Sequence, residues 1–213
     1  MKKLQILIFL IFTILTNCVY AYQLPVYQGK PFVIINNNIP LINIDDANKG
    51  NFEIYSPLDH LGRCGTAYAN ISKELMPTGK RGRIGMIKPS GWKTKRYDNI
   101  VPGKYLYNHC HLIGYQLAGE NANVLNLITG TRYLNMNMLI FENKVVKYVH
   151  KTGNHVLYRV TPVFINNELV ARGIFIEALS VEDNGQGICF FIYCFNVQPH
   201  ININYSDGTS SIQ

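Results

Sequence analysis

Residues 104–151 constrain the fold most, because their character changes twice within one short stretch. Up to residue 117 the chain reads as a strand passing through Asn108-His109-Cys110-His111, and Gly119-Glu120-Asn121 then turns it. A loop runs to about Asn135. From Asn137 to Lys151 the residues Met138, Phe141, Val145 and Tyr148 or Val149 recur at three- and four-residue spacing, with Lys144, Lys147 and Lys151 on the opposite side. That is the pattern of an amphipathic helix, with Asn137 as the expected cap and Gly153 as the expected stop. The fold must therefore seat a strand, a loop and a helix in immediate succession.

The rest of the chain supplies strands. Three are expected near 155–164, 169–180 and 188–197, separated by Asn166-Asn167 and by residues 182–187. Phe32–Ile35 and Ile39–Ile44 flank Asn36-Asn37-Asn38, which suggests a small hairpin within an N-terminal arm spanning 22–50. Gly62, Gly65, Pro77 and Gly79 break residues 52–80 into short elements, with a helix expected around Ala67–Glu74. The tail, residues 206–213, is polar and expected to be loose. At 213 residues one well-buried domain accommodates all of this, placed at 51–205. Hydrophobic content of 47% and charged content of 15% exclude a disordered chain, and 14 Tyr with 10 Phe lean toward β structure.

The first 21 residues stand apart. Lys2 and Lys3 precede an apolar run from Ile6 to Leu15, and Val19-Tyr20-Ala21 resembles a cleavage site, as in a secretory signal peptide with a mature start near Tyr22. The protein is then expected to be secreted without stable membrane insertion. The alternative is retention at the cell surface by an uncleaved N-terminal segment. Loss of Lys2 and Lys3 and of no acid lowers the formal charge from +7 to +5. Such a chain suits a polyanion, and the charge alone does not choose between nucleic acid, anionic lipid and cell-wall polymer. Export permits disulfides. Cys64, Cys110, Cys189 and Cys194 allow three complete pairings, of which Cys64–Cys110 is the expected bond. Cys189 and Cys194, five apart in a strand, face opposite sides and do not pair with each other.

Residues 80–97 hold Lys80, Arg81, Arg83, Lys88, Lys93, Lys95 and Arg96 without one acid, and Trp92 and Tyr97 lie among them. Cations interleaved with aromatics can track a phosphate backbone and stack on bases, although a charge run is also what a solvated loop looks like. Downstream, His111 offers an imidazole whose pKa suits a general base. Asn135 offers an amide oxygen of the kind Mg²⁺ accepts while keeping most of its water. Glu142 lies seven residues beyond Asn135, two helical turns on a similar face and about 10 Å away, so it would act on metal-bound water and not in the inner shell. Asn126 and Arg132, in the intervening loop, are candidates for fixing loop shape and contacting phosphate. Taken singly, each residue also has a plain structural explanation.

The run Asn108–Asn121, together with Asn126-Leu-Ile-Thr-Gly-Thr-Arg132 and Leu134-Asn135, resembles the DNA/RNA non-specific endonuclease family, and within it the branch of secreted bacterial DNA-entry and streptococcal nucleases. Gly62-Arg-Cys-Gly65 and Ser180-Val-Glu-Asp-Asn-Gly185 fit the same pattern, so the likeness covers roughly residues 50–205. The resemblance implies an α+β fold whose central, mainly antiparallel sheet carries a ββα-metal (His-Me finger) active site. It implies His111 as general base, Asn135 as ligand of Mg²⁺ or Mn²⁺, and Asn126 and Glu142 as supporting active-site residues. Arg81, Arg83, Lys93, His109 and Arg132 would hold DNA or RNA by the backbone, without sequence specificity, and cleavage would leave 5′-phosphates. Asn108, His109 and Cys110 depart from the Asp, Arg and Gly of the family motif. At His109 the change removes a permanent charge above about pH 7.

Two other readings remain at this point. One is a DNA-binding or DNA-uptake protein on the same fold, its catalysis weakened by the changes at 108–110. The other is a Cys–His hydrolase using Cys110, which would need His60, His150 or His155 nearby, since His111 points to the opposite face of the strand.

Overall fold

A computed structural model describes residues 24–213, so the expected signal peptide at 1–21 lies outside the described residues. The architecture is α+β. Six antiparallel strands, β1 (Phe32–Ile34), β2 (Glu53–Tyr55), β3 (Ala67–Ile71), β6 (Val156–Val163), β7 (Gly173–Ser180) and β8 (Cys189–Phe195), form the large sheet in the order β1-β8-β7-β6-β3-β2. A separate hairpin pairs β4 (Tyr107–His111) with β5 (Leu127–Thr131), setting His111 opposite Leu127 and Tyr107 opposite Thr131. The helical turn α1 (Tyr115–Ala118) follows β4, and the long helix α2 (Arg132–Thr152) follows β5 directly. The unit β4–β5–α2 is the ββα arrangement that the family resemblance implies; residues 127–131, expected as loop, are strand because they pair along their length with β4.

Helix α2 begins at Arg132, upstream of the expected cap. The Thr131 hydroxyl accepts from the Leu134 amide at 3.0 Å and so satisfies one of the free N–H groups of the first turn. Asn137 lies inside the helix, where its side-chain amide donates to the Tyr133 carbonyl at 2.8 Å. Gly153 ends the helix as expected, in the left-handed region at φ 76°. Leu134, Met138, Phe141, Val145 and Val149 form one buried stripe against the sheet core, and each such side chain contributes about 1.5–3 kcal/mol on burial.

Strand β8 explains the second face of the sheet. Phe190, Ile192 and Cys194 enter the core beneath α2, while Phe191, Tyr193 and Phe195 point the other way. Those outward rings are covered by the N-terminal arm through Leu24, Tyr27, Val33 and Ile35. Both faces of β8 are therefore dry, which is why its sequence is apolar without alternation.

Several expectations are corrected. The hairpin across Asn36–Asn38 does not form: β1 pairs with β8, and Asn36, Asn37 and Asn38 all take positive φ as a tight surface turn. Asn38 bonds to β8 in place of a second strand, accepting from Phe191 N and donating to Cys189 O. Residues 67–71 are strand and not helix, because pairing with β2 and β6 on both edges outweighs the helix propensity of alanine. Strand β4 stops at His111 because residues 114–118 turn helically. The tail is ordered by β9 (Ile201–Ile203) pairing with β10 (Ser210–Ile212). Among the described residues no helix is long and apolar enough to cross a membrane.

The hairpin β4–β5 shares no strand pairing with the large sheet, and Asn196 joins the two. Its buried side chain accepts from Thr131 N at 2.7 Å and donates to Thr129 O at 3.0 Å and Ala171 O at 2.8 Å. Replacing Asn196 with Ala strands three buried backbone groups, each worth about 1–3 kcal/mol. Asn196→Ala should therefore lower unfolding stability by about 3 kcal/mol or more in chemical denaturation, and a loss below about 1 kcal/mol would show that the hairpin is held elsewhere.

Candidate active site

Strand alternation places His109 and His111 on the face of β4 that borders a cavity of about 810 Å³, and Cys110 on the opposite face in the core. The cavity is also lined by Arg81 from the basic loop, Arg132, Asn135 and Glu142 from α2, and Gln116 from α1. Six of the residues named from sequence thus share one cavity: Arg81, His109, His111, Arg132, Asn135 and Glu142. Arg83 and Lys93 are exposed and lie outside it.

His111 is buried and held through both ring nitrogens. Nε2 lies 2.7 Å from the Asn121 carbonyl, so it carries the proton and donates, which leaves the Nδ1 lone pair to accept from Arg81 Nη2 at 3.1 Å. Desolvation, with the Arg81 charge adding to it, pulls the imidazole down to about 4 despite the Asn121 bond. The ring is therefore neutral in any near-neutral solution, with Nδ1 as its basic atom.

Asn126 does not reach the cavity. Its Oδ1 accepts from Ile113 N at 2.8 Å and its Nδ2 donates to Ile113 O at 2.9 Å, so it clamps the backbone just after His111. Of the roles expected for it, the phosphate contact and the direct place in the active site are not seen, because both ends of its side chain are spent on Ile113. Arg132 donates to Asn108 Oδ1 at 3.3 Å, which ties the altered motif position to the cavity wall. His109 lies against Trp92, ring centroids 4.0 Å apart, and its Nε2 is 2.7 Å from the Ile87 carbonyl. Burial holds it below the ordinary histidine range, so it brings no charge.

Glu142 is almost fully buried. Desolvation pushes its carboxyl up to about 7, against smaller opposing effects of Gln116, which donates to it at 3.3 Å, and of Arg81. Its carboxylate rests on the Cα of Gly114, where any Cβ would collide with it. Gly114, Gln116 and the Asn121 carbonyl were not identified from sequence. Only contact reveals their roles, since none carries a chemistry-bearing side chain at a recognisable spacing.

The expected Cys64–Cys110 disulfide is absent. The Cys64 thiol donates to the carbonyls of Val124 and Leu127, and the Cys110 thiol packs on Met138 Sδ at 3.1 Å. Cys110 fills space left by Gly130 on β5, where a Cβ would clash with it. Burial raises the Cys110 thiol far above its usual range, and His155 is engaged by Glu182. Cys110 is fully buried while His60 and His150 are exposed, so no Cys–His pair forms with any of the three candidate histidines.

Among the described residues no group of three His, Cys, Asp or Glu is placed to hold a metal, which disfavours a thiolate- and imidazole-rich centre. What the cavity offers is the Asn135 amide, engaged by no hydrogen bond among the described residues, and the Glu142 carboxylate two turns along. One neutral oxygen and one carboxylate fit a hard cation that keeps its own water shell.

With this geometry in view, comparison with known proteins is direct. Residues 42–182 match the model of the DNA/RNA non-specific endonuclease family. A deoxyribonuclease of Streptococcus dysgalactiae subsp. equisimilis is 28% identical over 197 residues, covering 73% of this chain and 59% of the relative's length. NucA of Streptococcus agalactiae, solved with magnesium bound, is 27% identical at a TM-score of 0.73, covering 84% of this chain and 86% of that one. Sda1 nuclease, solved with zinc bound, is 25% identical at a TM-score of 0.70, covering 86% and 97%. The hairpin and helix together define a ββα scaffold similar to that of these solved nucleases. The chain belongs to the DNA/RNA non-specific endonuclease family.

The position of Glu142 has a measurable consequence in the metal-free protein. Its folded pKa of about 7 lies above the ordinary 4.5, so between these values the folded state keeps a proton that the unfolded state releases. Glu142 alone makes stability fall as pH rises from about 4.5 to 7, by up to about 3 kcal/mol, against the rise that the depressed imidazole of His111 gives between about 4 and 6.5. Melting in EDTA should therefore show Glu142→Gln gaining stability relative to the wild type as pH rises through this window, and parallel pH profiles for the two proteins would refute the assignment.

Proposed function

We propose that this chain is an exported, divalent-metal-dependent, sugar-nonspecific endonuclease that hydrolyses phosphodiesters in DNA and RNA and leaves 5′-phosphates. The observation that carries the reading is the paired engagement of His111. With Nε2–H committed to the Asn121 carbonyl, Nδ1 is the basic atom, and it faces Arg81 inside a cavity that Asn135 and Glu142 also line.

His111 Nδ1 takes a proton from water, and the resulting hydroxide attacks phosphorus in line. A P–O bond to the hydroxide oxygen forms, the P–O3′ bond breaks, and the departing O3′ takes a proton from solvent water while His111 returns its own to solvent, so the products are a 5′-phosphate and a 3′-hydroxyl. Arg81 leaves His111 to contact a non-bridging phosphate oxygen, an exchange that its long exposed side chain permits. Arg132, steadied by Asn108, offers a second cationic contact. Asn126 and Gly114 keep the segment after His111 in place. Asn135 would hold the cation directly, and Glu142 would hold it through water. A bound Mg²⁺ or Mn²⁺ would supply Lewis-acid charge to the phosphate. The magnesium in the NucA structure supports Mg²⁺.

Secretion is supported by the apolar leader at residues 6–15 with Lys2 and Lys3 ahead of it. The exposed cations of residues 80–97 would track backbone phosphates without reading bases.

Plasmid nicking tests the assignment. The wild type should nick with Mg²⁺ and stop in EDTA. His111→Ala should lose at least about a hundredfold, and Asn135→Ala should lose activity that excess Mg²⁺ partly restores. DNA binding by His111→Ala should persist and weaken steeply with salt. Full activity in His111→Ala would refute its role. Binding without nicking in the wild type would instead identify a DNA-binding or DNA-uptake protein on the same fold.

A further inference from the structure

The cavity is built for more than a phosphate. Arg81 and Arg132 charge it, yet much of its wall is aromatic or aliphatic. Residues 92–109 contribute Trp92, Tyr105 and His109. Trp92 and His109 stack with 28° between their planes, and Tyr105 is 47% exposed with Arg96 over its ring at 5.5 Å. From α2, Leu139 lines the same cavity at 42% exposure, and Met136 and Ile140, on the same side of the helix, are each 47% exposed.

Phosphate oxygens are recognised by cations and polar hydrogens; Leu139, Met136 and Ile140 carry neither, the Nε2–H of His109 is taken by the Ile87 carbonyl, and the Nε1–H of Trp92 is buried. A cluster of exposed apolar groups beside a functional cavity marks a surface that something covers. Its occupant must be continuous with a phosphate held at Arg81 and Arg132, and it must present flat, uncharged faces. Nucleobases satisfy both conditions when they are unpaired, because base–aromatic stacking needs a free π face. In a continuous duplex those faces are stacked on one another. The volume, about 810 Å³, is in the range that encloses whole small ligands and not a lone phosphate group. His109 contributes to this character, since the arginine of the family motif would bring a cation to a position now occupied by a neutral ring lying on Trp92.

We propose that Tyr105, Leu139 and the Trp92–His109 stack receive unpaired bases flanking the scissile phosphate, so that the site selects single-stranded or locally unpaired nucleic acid over continuous duplex. This deepens the nuclease reading and rests on it.

The test presents one labelled oligonucleotide to the purified protein with Mg²⁺ at fixed salt, alone and annealed to its complement. The single strand should be cut at least about tenfold faster, as stacking of one or two bases implies. Tyr105→Ser combined with Leu139→Ser should lower the single-strand to duplex rate ratio about tenfold. Both positions are exposed, and a melting curve confirms that the variant folds. A wild-type ratio near one, or a ratio unmoved in the variant, overturns the inference and leaves the nuclease reading intact. If the wild type cuts neither form, the nuclease reading fails, and binding in EDTA decides through the fluorescence of Trp92, the single tryptophan of the chain. Stronger quenching by the single strand then upholds base capture, and equal quenching overturns it.

Discussion

The structure depends on how one side-chain amide substitutes for a missing strand. No backbone ladder connects β4–β5 to the six-stranded sheet; Asn196 bridges the gap with one accepted and two donated hydrogen bonds. Thr131 completes the joint, its hydroxyl donating to Val197 O at 2.7 Å while accepting from Leu134 N to cap α2. Sheet, hairpin and helix therefore meet at two adjoining residues. His111 sits on the hairpin, and Asn135 and Glu142 sit on the helix, so this joint also sets the spacing between the imidazole and the two helix side chains that share its cavity.

Burial controls the electrostatics of the cavity by acting on both titratable groups in the same sense, toward neutrality. It lowers the imidazole of His111 and raises the carboxyl of Glu142. With His109 uncharged as well, the guanidinium groups of Arg81 and Arg132 dominate the field. A resting cavity of that kind attracts an anion, and the imidazole that the anion meets is already neutral.

Much of this was legible in the sequence because it depended on periodicity or on chemically distinctive side chains. The strands after residue 155 and the apolar stripe of α2 followed from such signals, whereas the grouping of His111, Asn135 and Glu142 rested on the family resemblance and Arg81 on the basic run before it. What was not legible depended on partners distant in the chain. Ala67 and Ala69 favour helix until β2 and β6 are placed on either side of them. Asn36–Asn38 signals a turn but cannot say that the preceding strand pairs with β8. The apolar repeat of α2 begins one turn before Met138, at Leu134, but Asn135 and Asn137 on either side of Met136 obscure it, and Thr131 shows itself as a cap only where its hydroxyl meets Leu134 N. Asn196 resembles any other asparagine until Thr129, Thr131 and Ala171 surround it.

Cys110 and Gly130 occupy one volume between them, the thiol filling what the glycine leaves empty. The two positions are therefore coupled, and neither can be exchanged independently of the other. Restoring a glycine at 110 alone would open a void beside Met138, and adding a side chain at 130 alone would force β4 and β5 apart. The departure from the family motif is thus not a local change in catalytic chemistry. It extends across the hairpin, and a motif grafted from a relative would have to be moved as a set spanning both strands.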